Sequence, residues 1–230
     1  MFGGQVFSVS HRGAVRPENQ DALVCRPEMD VYAVADGAGG TENGRAAADA
    51  VINNISRIPP TVKVTERLGE IRRAIATAHE SLLSNSKAAS TVAVLMLDGP
   101  YFVCLWVGDS RIYLWRDGEL VQLSHDHSMV QEMVDAGTLT PAEARVHPKA
   151  NVITRAVGGI QGDLAIAKRT GETLPGDRFL LCSDGLTKTM EDDEICQLMA
   201  GSGDIAAAML DTALRRRARD NVSVIVVCRD

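Results

Sequence analysis

The sequence is defined first by features that it does not have. No apolar run approaches the ~20 residues that a helix needs to cross a bilayer. Residues 1–10 have no basic segment followed by the apolar stretch of a signal peptide. The net charge of −6 argues against the cationic surface with which nucleic-acid-binding proteins displace counterions. We therefore expect a cytoplasmic protein that binds neither membranes nor nucleic acid.

Cysteine is scarce, and its spacing argues against two kinds of chemistry. The five cysteines form no CxxC pair and are odd in number, unlike those of a disulfide scaffold. Cysteine-based phosphatases need an arginine six positions after the nucleophile, but Lys188 follows Cys182 and Ser110 follows Cys104 at that spacing. Both cysteines stand in apolar runs, which favour an inert thiol. We expect them in the core.

The glycine-rich stretch after Asp36 does not fit a nucleotide-binding loop. Glu42 stands where a dinucleotide fingerprint needs its third glycine, and the Gly-Lys-Ser/Thr ending of a P-loop is missing. A backbone carbonyl exposed by a glycine turn beside Asp36 is better suited to bind a metal.

Apolar patterning predicts a mixed fold. Runs rich in β-branched and aromatic residues predict strands at 31–35, 91–97, 101–107, 111–115, 179–182 and 222–228. Asp98-Gly99-Pro100 and Asp117-Gly118 predict hairpin turns. Helical spacing predicts helices at 46–55, 66–83, 128–136 and 205–217, and a capping box predicts another helix from Thr140. Hairpins dominate over βαβ units, so the fold class is α+β, with antiparallel sheets in one domain over residues 1–230.

Aspartates that follow apolar strands are the strongest local signal for function. Asp36, Asp109 and Asp184 each end such a run, Asp220 precedes the last strand, and Asp21 precedes another apolar stretch. For a single Asp-Gly pair, a plain turn is the better interpretation. For the whole set, carboxylates that meet at one end of a sheet become more probable, and such oxygen ligands suit Mg²⁺ or Mn²⁺ rather than zinc.

The histidines give a weaker signal. His125 and His127 would share one strand face and so could bind a metal. Because neither a third histidine nor a cysteine stands nearby in the sequence, a hydrogen-bonded structural role is the favoured interpretation.

Eight short motifs in order resemble those of the bacterial branch of the PP2C-type, metal-dependent Ser/Thr protein phosphatases, over essentially the whole chain. They are Arg16-Pro17-Glu18-Asn19-Gln20-Asp21, Asp36-Gly37-Ala38-Gly39-Gly40, Ser90-Thr91, Val107-Gly108-Asp109-Ser110-Arg111, the segment 123–128, Ile153-Thr154-Arg155-Ala156-Val157-Gly158, Ser183-Asp184-Gly185-Leu186 and Asp220-Asn221-Val222-Ser223-Val224. Each is weak alone, but eight in order are very hard to obtain by chance.

The resemblance implies a β-sandwich of two antiparallel sheets flanked by helices in α-β-β-α layers. A metal centre would lie at one end of the sandwich, beside a small helical flap at 128–151. Met129 and Met133 of this flap could contact substrate or pack in the core, and both interpretations stay open.

The resemblance also implies a role for each site residue. Asp36 would bridge two Mg²⁺ or Mn²⁺ ions, the Gly37 carbonyl would bind the second, and Asp184 and Asp220 would complete the ligands of the first. Asp21 would hold a metal-bound water, and Asp109 with Asp184 would bind a third, weaker ion, which stays open here. Arg16 would clamp the substrate phosphate, because its planar fork matches phosphate oxygens.

Two positions depart from the family pattern. Gln20 stands where many members have a glutamate that takes part in second-metal binding, so we expect weaker direct coordination there. Ala38 stands where eukaryotic members have a histidine thought to protonate the leaving group. This chain would have to protonate the leaving alkoxide by another route, for which a metal-bound water is a candidate.

The function implied is hydrolysis of phosphoserine and phosphothreonine on proteins, opposing a Hanks-type Ser/Thr kinase. Its partners would be that kinase and its phosphorylated substrates. Similar proteins also occur beside secretion-system kinases and their forkhead-associated substrates, which leaves that context open. One alternative is a catalytically silent phosphoprotein-binding regulatory domain, although such relatives usually lose the metal aspartates that this chain keeps. Another is a phosphatase for a dedicated regulator, such as an anti-sigma antagonist, although those enzymes often carry sensor domains.

Overall fold

The computed structural model describes residues 4–38, 43–85, 88–159 and 164–230. Within these ranges the strands are β1 (Val6–His11), β2 (Asp21–Arg26), β3 (Val31–Ala38), β4 (Ala89–Ser90), β5 (Val92–Asp98), β6 (Tyr101–Val107), β7 (Arg111–Arg116), β8 (Glu119–Gln122), β9 (Ala167–Glu172), β10 (Arg178–Cys182) and β11 (Val222–Cys228). The helices are α1 (Gly44–Ser56), α2 (Val64–Asn85), α3 (Met129–Asp135), α4 (Pro141–Val146), α5 (Asp184–Thr187), α6 (Asp192–Met199) and α7 (Ile205–Arg215). None of these helices has both the length and the apolar character needed to cross a membrane.

The strands form two antiparallel sheets. One sheet has the order β1-β11-β10-β7-β8, and the other has the order β2-β3-β5-β6-β9, with β4 paired to β3. Each pairing between these strands is antiparallel. The predicted pair of antiparallel sheets is therefore confirmed.

The core is divided into three apolar layers. Alternate residues of β3 show why: Ala33 packs toward α1 and α2, whereas Tyr32 and Val34 pack between the sheets. Phe102 of one sheet meets Phe179 of the other edge to face, with ring centroids 5.3 Å apart. A third layer joins β10 and β11 to α5, α6 and α7. Because β3 is buried on both faces, its sequence is a continuous apolar run rather than an alternating one. The α-β-β-α layering is confirmed.

The two predicted hairpin turns are present. Asp98 pairs with Tyr101, so Gly99 and Pro100 form the turn between β5 and β6. The turn between β7 and β8 has positive φ angles of 52° at Asp117 and 86° at Gly118. Positive φ at both central residues is the feature of a type I′ turn, which matches the twist of a hairpin.

The flap at 128–151 consists of α3, α4 and their loops. Its base is closed by an isolated bridge between Ser128 and Ile153. The predicted capping box of α4 is present: the Thr140 N–H donates to Glu143 Oε2 over 2.8 Å, and the Thr140 hydroxyl accepts from the Glu143 N–H over 3.3 Å. No residue of α3 is fully buried. Met129 and Met133 are therefore half-buried at the surface rather than in the core.

Candidate metal centre

Asp21 and Asp36 lie side by side on neighbouring strands. They are direct partners in the antiparallel pairing of β2 with β3, and Asp21 is 1% exposed. The backbone of Asp36 is held on both sides, since its N–H donates to Thr91 Oγ1 over 3.0 Å and its carbonyl accepts from the Thr91 N–H over 2.8 Å. The first sheet thus fixes two carboxylates at one end of the sandwich.

Asp184 and Asp220 come to the same end from the second sheet. Asp184 begins α5 directly after β10, and Asp220 precedes β11, the neighbour of β10. Between these strands, the Ser183 hydroxyl accepts from the Ser223 N–H over 3.0 Å and donates to Asp21 Oδ2 over 2.7 Å. One buried serine therefore ties the two sheets together at the carboxylate cluster.

Asp109 lies in the turn between β6 and β7 and is 7% exposed. Gly108 adopts a φ of 106°, which only glycine adopts readily, and so lets the chain turn sharply after β6. His127 fixes this turn: its ring Nδ1 accepts from the Gly108 N–H over 3.1 Å, and its own N–H donates to the Gly108 carbonyl over 3.0 Å. The Ser110 hydroxyl is hydrogen-bonded to that of Thr91 over 2.7 Å. This chain of contacts connects Asp109 to the strand that carries Asp36.

Burial and mutual repulsion raise the pKa of the clustered carboxyl groups. Desolvation, followed by the charges of Asp21 and Asp184, raises the pKa of Asp36 well above its ordinary range. Desolvation also raises the pKa of Asp21 to about 7, against the opposing hydrogen bond from Ser183. The pKa of Asp109 is likewise raised to about 7 by desolvation and then by Asp184. Full ionisation of the cluster therefore needs nearby positive charge.

Two basic side chains contact the outer carboxylates. Arg16 donates two hydrogen bonds to Asp220, from Nε to Oδ1 over 2.8 Å and from Nη2 to Oδ2 over 3.0 Å. The Lys188 ammonium contacts Asp184 Oδ2 and lies 3.8 Å from Asp220 Oδ2. Burial lowers the pKa of Lys188, but the charge and hydrogen bond of Asp184, together with the charges of Asp220 and Asp109, outweigh it, so the net direction is upward. Both side chains carry positive charge at the rim of the cluster.

The donor set fits hard divalent cations. Asp21 Oδ1 and Asp184 Oδ1 are buried and have no hydrogen-bond partner among the described residues. A buried carboxylate oxygen without a partner is costly unless a cation or water meets it. Among the described residues, no group of three acidic, histidine or cysteine side chains is arranged to hold a metal ion without some movement. Movement of Arg16 and Lys188 away from Asp220 and Asp184 would free carboxylate oxygens, which are the ligands that Mg²⁺ and Mn²⁺ prefer.

A cavity of about 590 Å³ opens at this cluster, and we call it the centre cavity. Six of the predicted site residues line it: Arg16, Asp36, Gly37, Asp109, Asp184 and Asp220. Asp21 is buried and is not among the residues that line the cavity. Gly39 and Gly40, which belong to the predicted metal loop, lie outside the described residues. The sequence-predicted residues thus come together at one end of the sandwich.

Three polar residues of this region were not predicted from the sequence as members of the site. Ser183 binds Asp21, Lys188 binds Asp184, and Asn221 accepts from the Gln20 N–H over 2.8 Å. Of these, Lys188 had a readable signal. It stands four residues after Asp184, the spacing that puts two side chains on the same side of a helical turn.

The histidines and cysteines do not join the cluster. His125 is exposed and contacts Asp135 over 2.8 Å, whereas His127 is buried and stacks on Trp106. Burial lowers the pKa of His127 to about 4, so this ring is neutral and structural. Burial also raises the pKa of Cys182 to about 12, which makes its thiol inert at neutral pH.

Replacement of Gly185 by alanine is expected to destabilise the protein by about 3 kcal/mol, because a buried backbone contact offers little room for relaxation. A Cβ at this position would lie 1.9 Å from the Asn221 carbonyl oxygen, where the start of α5 packs against the residues that precede β11. Urea unfolding measures the effect. Gly69→Ala is the matched control, since a Cβ there meets nothing within 4 Å and alanine favours the helix by ~0.5–1 kcal/mol. Equal urea midpoints for the two variants would refute the tight contact.

The chain matches the family model of protein phosphatase 2C over residues 9–222. It is 32% identical to the Ser/Thr protein phosphatase PstP of Mycobacterium tuberculosis over 226 residues, which are 94% of this chain but only 43% of PstP. It is 30% identical to a putative protein phosphatase 2C-type protein of Streptococcus pyogenes, over 94% of this chain and 93% of that protein.

Solved structures show the same fold. PppA, described as a key regulatory component of T6SS in Pseudomonas aeruginosa, superposes with a TM-score of 0.89 at 35% identity, over 99% of this chain and 98% of PppA. The catalytic domain of PstP in complex with two manganese ions gives a TM-score of 0.88 at 29% identity, over 98% of this chain and 97% of that domain. The chain belongs to the protein phosphatase 2C family.

Proposed function

We propose that this chain hydrolyses phosphoserine and phosphothreonine on proteins with the help of two Mg²⁺ or Mn²⁺ ions. The observation that carries the proposal is the buried carboxylate cluster, in which Asp21 and Asp184 each keep one oxygen without a hydrogen-bond partner among the described residues. Membership of the phosphatase family and the two manganese ions of the PstP complex support it.

The ligands would come from both sheets. Asp36 and the Gly37 carbonyl from β3 would meet Asp184 and Asp220 from the second sheet, while Asp21 would act through a water. Two divalent ions held there would neutralise a phosphate dianion and lower the pKa of an attacking water. The protein supplies fixed positions: β-strand pairing and the Ser183 bridge set the carboxylates before substrate arrives. A third ion at Asp109 belongs to the same proposal.

Arg16 is proposed as the phosphate clamp. Its side chain is 49% exposed and lines the centre cavity while it forks onto Asp220. The same two parallel N–H groups fit two phosphate oxygens.

Arg16→Ala is expected to lower kcat/KM for a phosphothreonine peptide by about 100-fold, because the phosphate loses a positioning contact. Steady-state kinetics measures this, with the exposed Arg72→Ala as the charge-matched control.

The leaving group would take its proton from a water, for which a metal-bound water is the candidate, rather than from a histidine. Ala38 lines the centre cavity, and no histidine is found among the described residues that line it. The Gln20 side chain lies at the same rim and donates to Glu18 over 2.6 Å. Neither Ala38 nor Gln20, the two positions that depart from the family pattern, therefore supplies an acid to the reaction.

The proposal is tested by release of inorganic phosphate from phosphoserine and phosphothreonine peptides. We expect hydrolysis with Mn²⁺, none with excess EDTA, and recovery when Mn²⁺ is restored, because the carboxylate cluster needs cations to bind a dianion. A phosphotyrosine peptide of the same sequence is the control for substrate class. Full activity in EDTA would reject the metal-dependent mechanism.

The physiological partners form a separate proposal. A phosphatase acts on sites that a kinase has modified, so we infer that the chain opposes a Hanks-type Ser/Thr kinase, with a forkhead-associated protein among the candidate substrates. The similarity to PppA, described as a key regulatory component of T6SS, supports a regulatory role. We propose that the chain acts in the cytoplasm, where such a kinase domain would phosphorylate its substrates. Comparison of phosphoproteomes from cells with and without the gene tests this proposal. In the cells without the gene, phosphorylation should be higher at a small set of serine and threonine sites.

A further inference from the structure

Lys188 is a basic side chain built into the metal-binding turn itself. Its backbone N–H donates to the Asp184 carbonyl over 2.8 Å at the end of α5. Its ammonium folds back onto Asp184 Oδ2 and lies 3.8 Å from Asp220 Oδ2. Because the same short turn carries both residues, the ammonium can reach Asp184 without any movement of the backbone.

The position of Lys188 differs from that of Arg16. Arg16 reaches the cluster from a separate segment and is 49% exposed, so it can swing out to solvent or to a substrate. Lys188 is 35% exposed and lies where the centre cavity meets a second cavity of about 510 Å³ under the flap. Both cavities are lined by Asp109, Asp184 and Lys188.

The contact has a direct consequence for metal binding. Asp184 is the carboxylate with one oxygen bound to Lys188 and the other buried without a hydrogen-bond partner among the described residues. An ion that takes both oxygens must displace the ammonium, and an ion that takes one must tolerate a positive charge close by. Either arrangement costs Coulomb energy, which is large in a partly buried site.

We propose that Lys188 is a tethered competitor for the metal-binding carboxylates, which weakens the binding of the divalent ion held by Asp184. This inference rests on the proposed metal-dependent function. Lys188 would thus affect the reaction only through the metal ligands. It would set the concentration of Mn²⁺ or Mg²⁺ that is needed to load the centre.

Calorimetric titration of the metal-free protein with Mn²⁺ tests the inference, with bound ions counted by electron paramagnetic resonance. For Lys188→Gln we expect the weakest resolved ion to bind at least about tenfold more tightly than in the wild type. Lys188→Arg keeps the charge and should restore the wild-type affinity. Lys168→Gln, which removes an exposed lysine outside both cavities, is the matched control.

The outcomes separate the inference from the proposed function. Equal affinities in the wild type and Lys188→Gln, or tightening in Lys188→Arg as well, would overturn the competitor role while the metal centre stands. A wild-type chain that binds no Mn²⁺ would overturn both. Thermal unfolding gives a second reading, since the rise in Tm with Mn²⁺ should be larger for Lys188→Gln than for the wild type.

Discussion

Asp36→Asn is expected to lower kcat for phosphopeptide hydrolysis by about 1,000-fold or more, the largest effect of any single change in the chain. After burial, the charges of four other carboxylates together raise the pKa of Asp36: those of Asp21, Asp184, Asp109 and Asp220. An amide of the same shape keeps the packing but removes the charge that the ions would share. Initial rates at saturating Mn²⁺ measure the loss.

The same substitution should stabilise the metal-free protein. Without Asp36 the remaining carboxylates repel one another less, so the variant should unfold at a higher temperature than the wild type in EDTA. Asp49→Asn, on the exposed face of α1, is the control and should change neither activity nor stability strongly. An Asp36→Asn enzyme within tenfold of wild-type kcat would mean that this carboxylate is not at the reacting centre.

The stability of the metal-free protein is expected to fall as pH rises, by about 3 kcal/mol relative to Asp21→Asn between pH 4.5 and 8. The pKa of Asp21 is raised in the folded state from its ordinary 3.8 to about 7. A raised pKa means that the folded protein holds the proton more tightly than the unfolded chain. That stabilisation is complete below about pH 4 and is lost as pH rises through about 7.

Chemical unfolding at several pH values in EDTA, for wild type and Asp21→Asn, measures this difference. The comparison with the variant cancels the titration of carboxyl groups outside the cluster, such as Glu194, whose pKa is lowered to about 2. Mn²⁺ should reverse the trend, because ions bind the ionised carboxylates and displace protons. Parallel pH profiles for the two proteins would show that Asp21 does not titrate in a buried, crowded site.

Much of the fold could be predicted because its main signals are local. Strands β3, β5, β6, β7, β10 and β11 are apolar runs, and the Asp117-Gly118 turn has the conformation that its sequence favours. Strand β9 was missed because its sequence, AKRTGE, is mostly exposed and resembles a loop; pairing with β6 makes it a strand. Strand β1 was also missed; none of its residues is fully buried, and pairing with β11 makes it a strand. Helix α6 was not predicted either, because it is short and only two of its residues are buried.

The predicted site residues share a place in the sequence pattern: most stand where a strand ends. That pattern indicated carboxylates but not their distances, which depend on which strands become neighbours. The pairing of Asp21 with Asp36, and the Ser183 bridge between sheets, are tertiary features without a local signal. The spacing of Lys188 from Asp184 could be read from the sequence, but it brings the two side chains together only because residues 184–187 form a helical turn, which was not predicted.

The most direct test of the proposed metal centre is the anomalous diffraction signal of manganese in crystals grown with Mn²⁺. We expect at least two manganese peaks in the centre cavity, contacted by oxygens of Asp36, Asp184 and Asp220. Manganese bound elsewhere on the surface, with these three carboxylates in contact only with protein groups, would contradict the account.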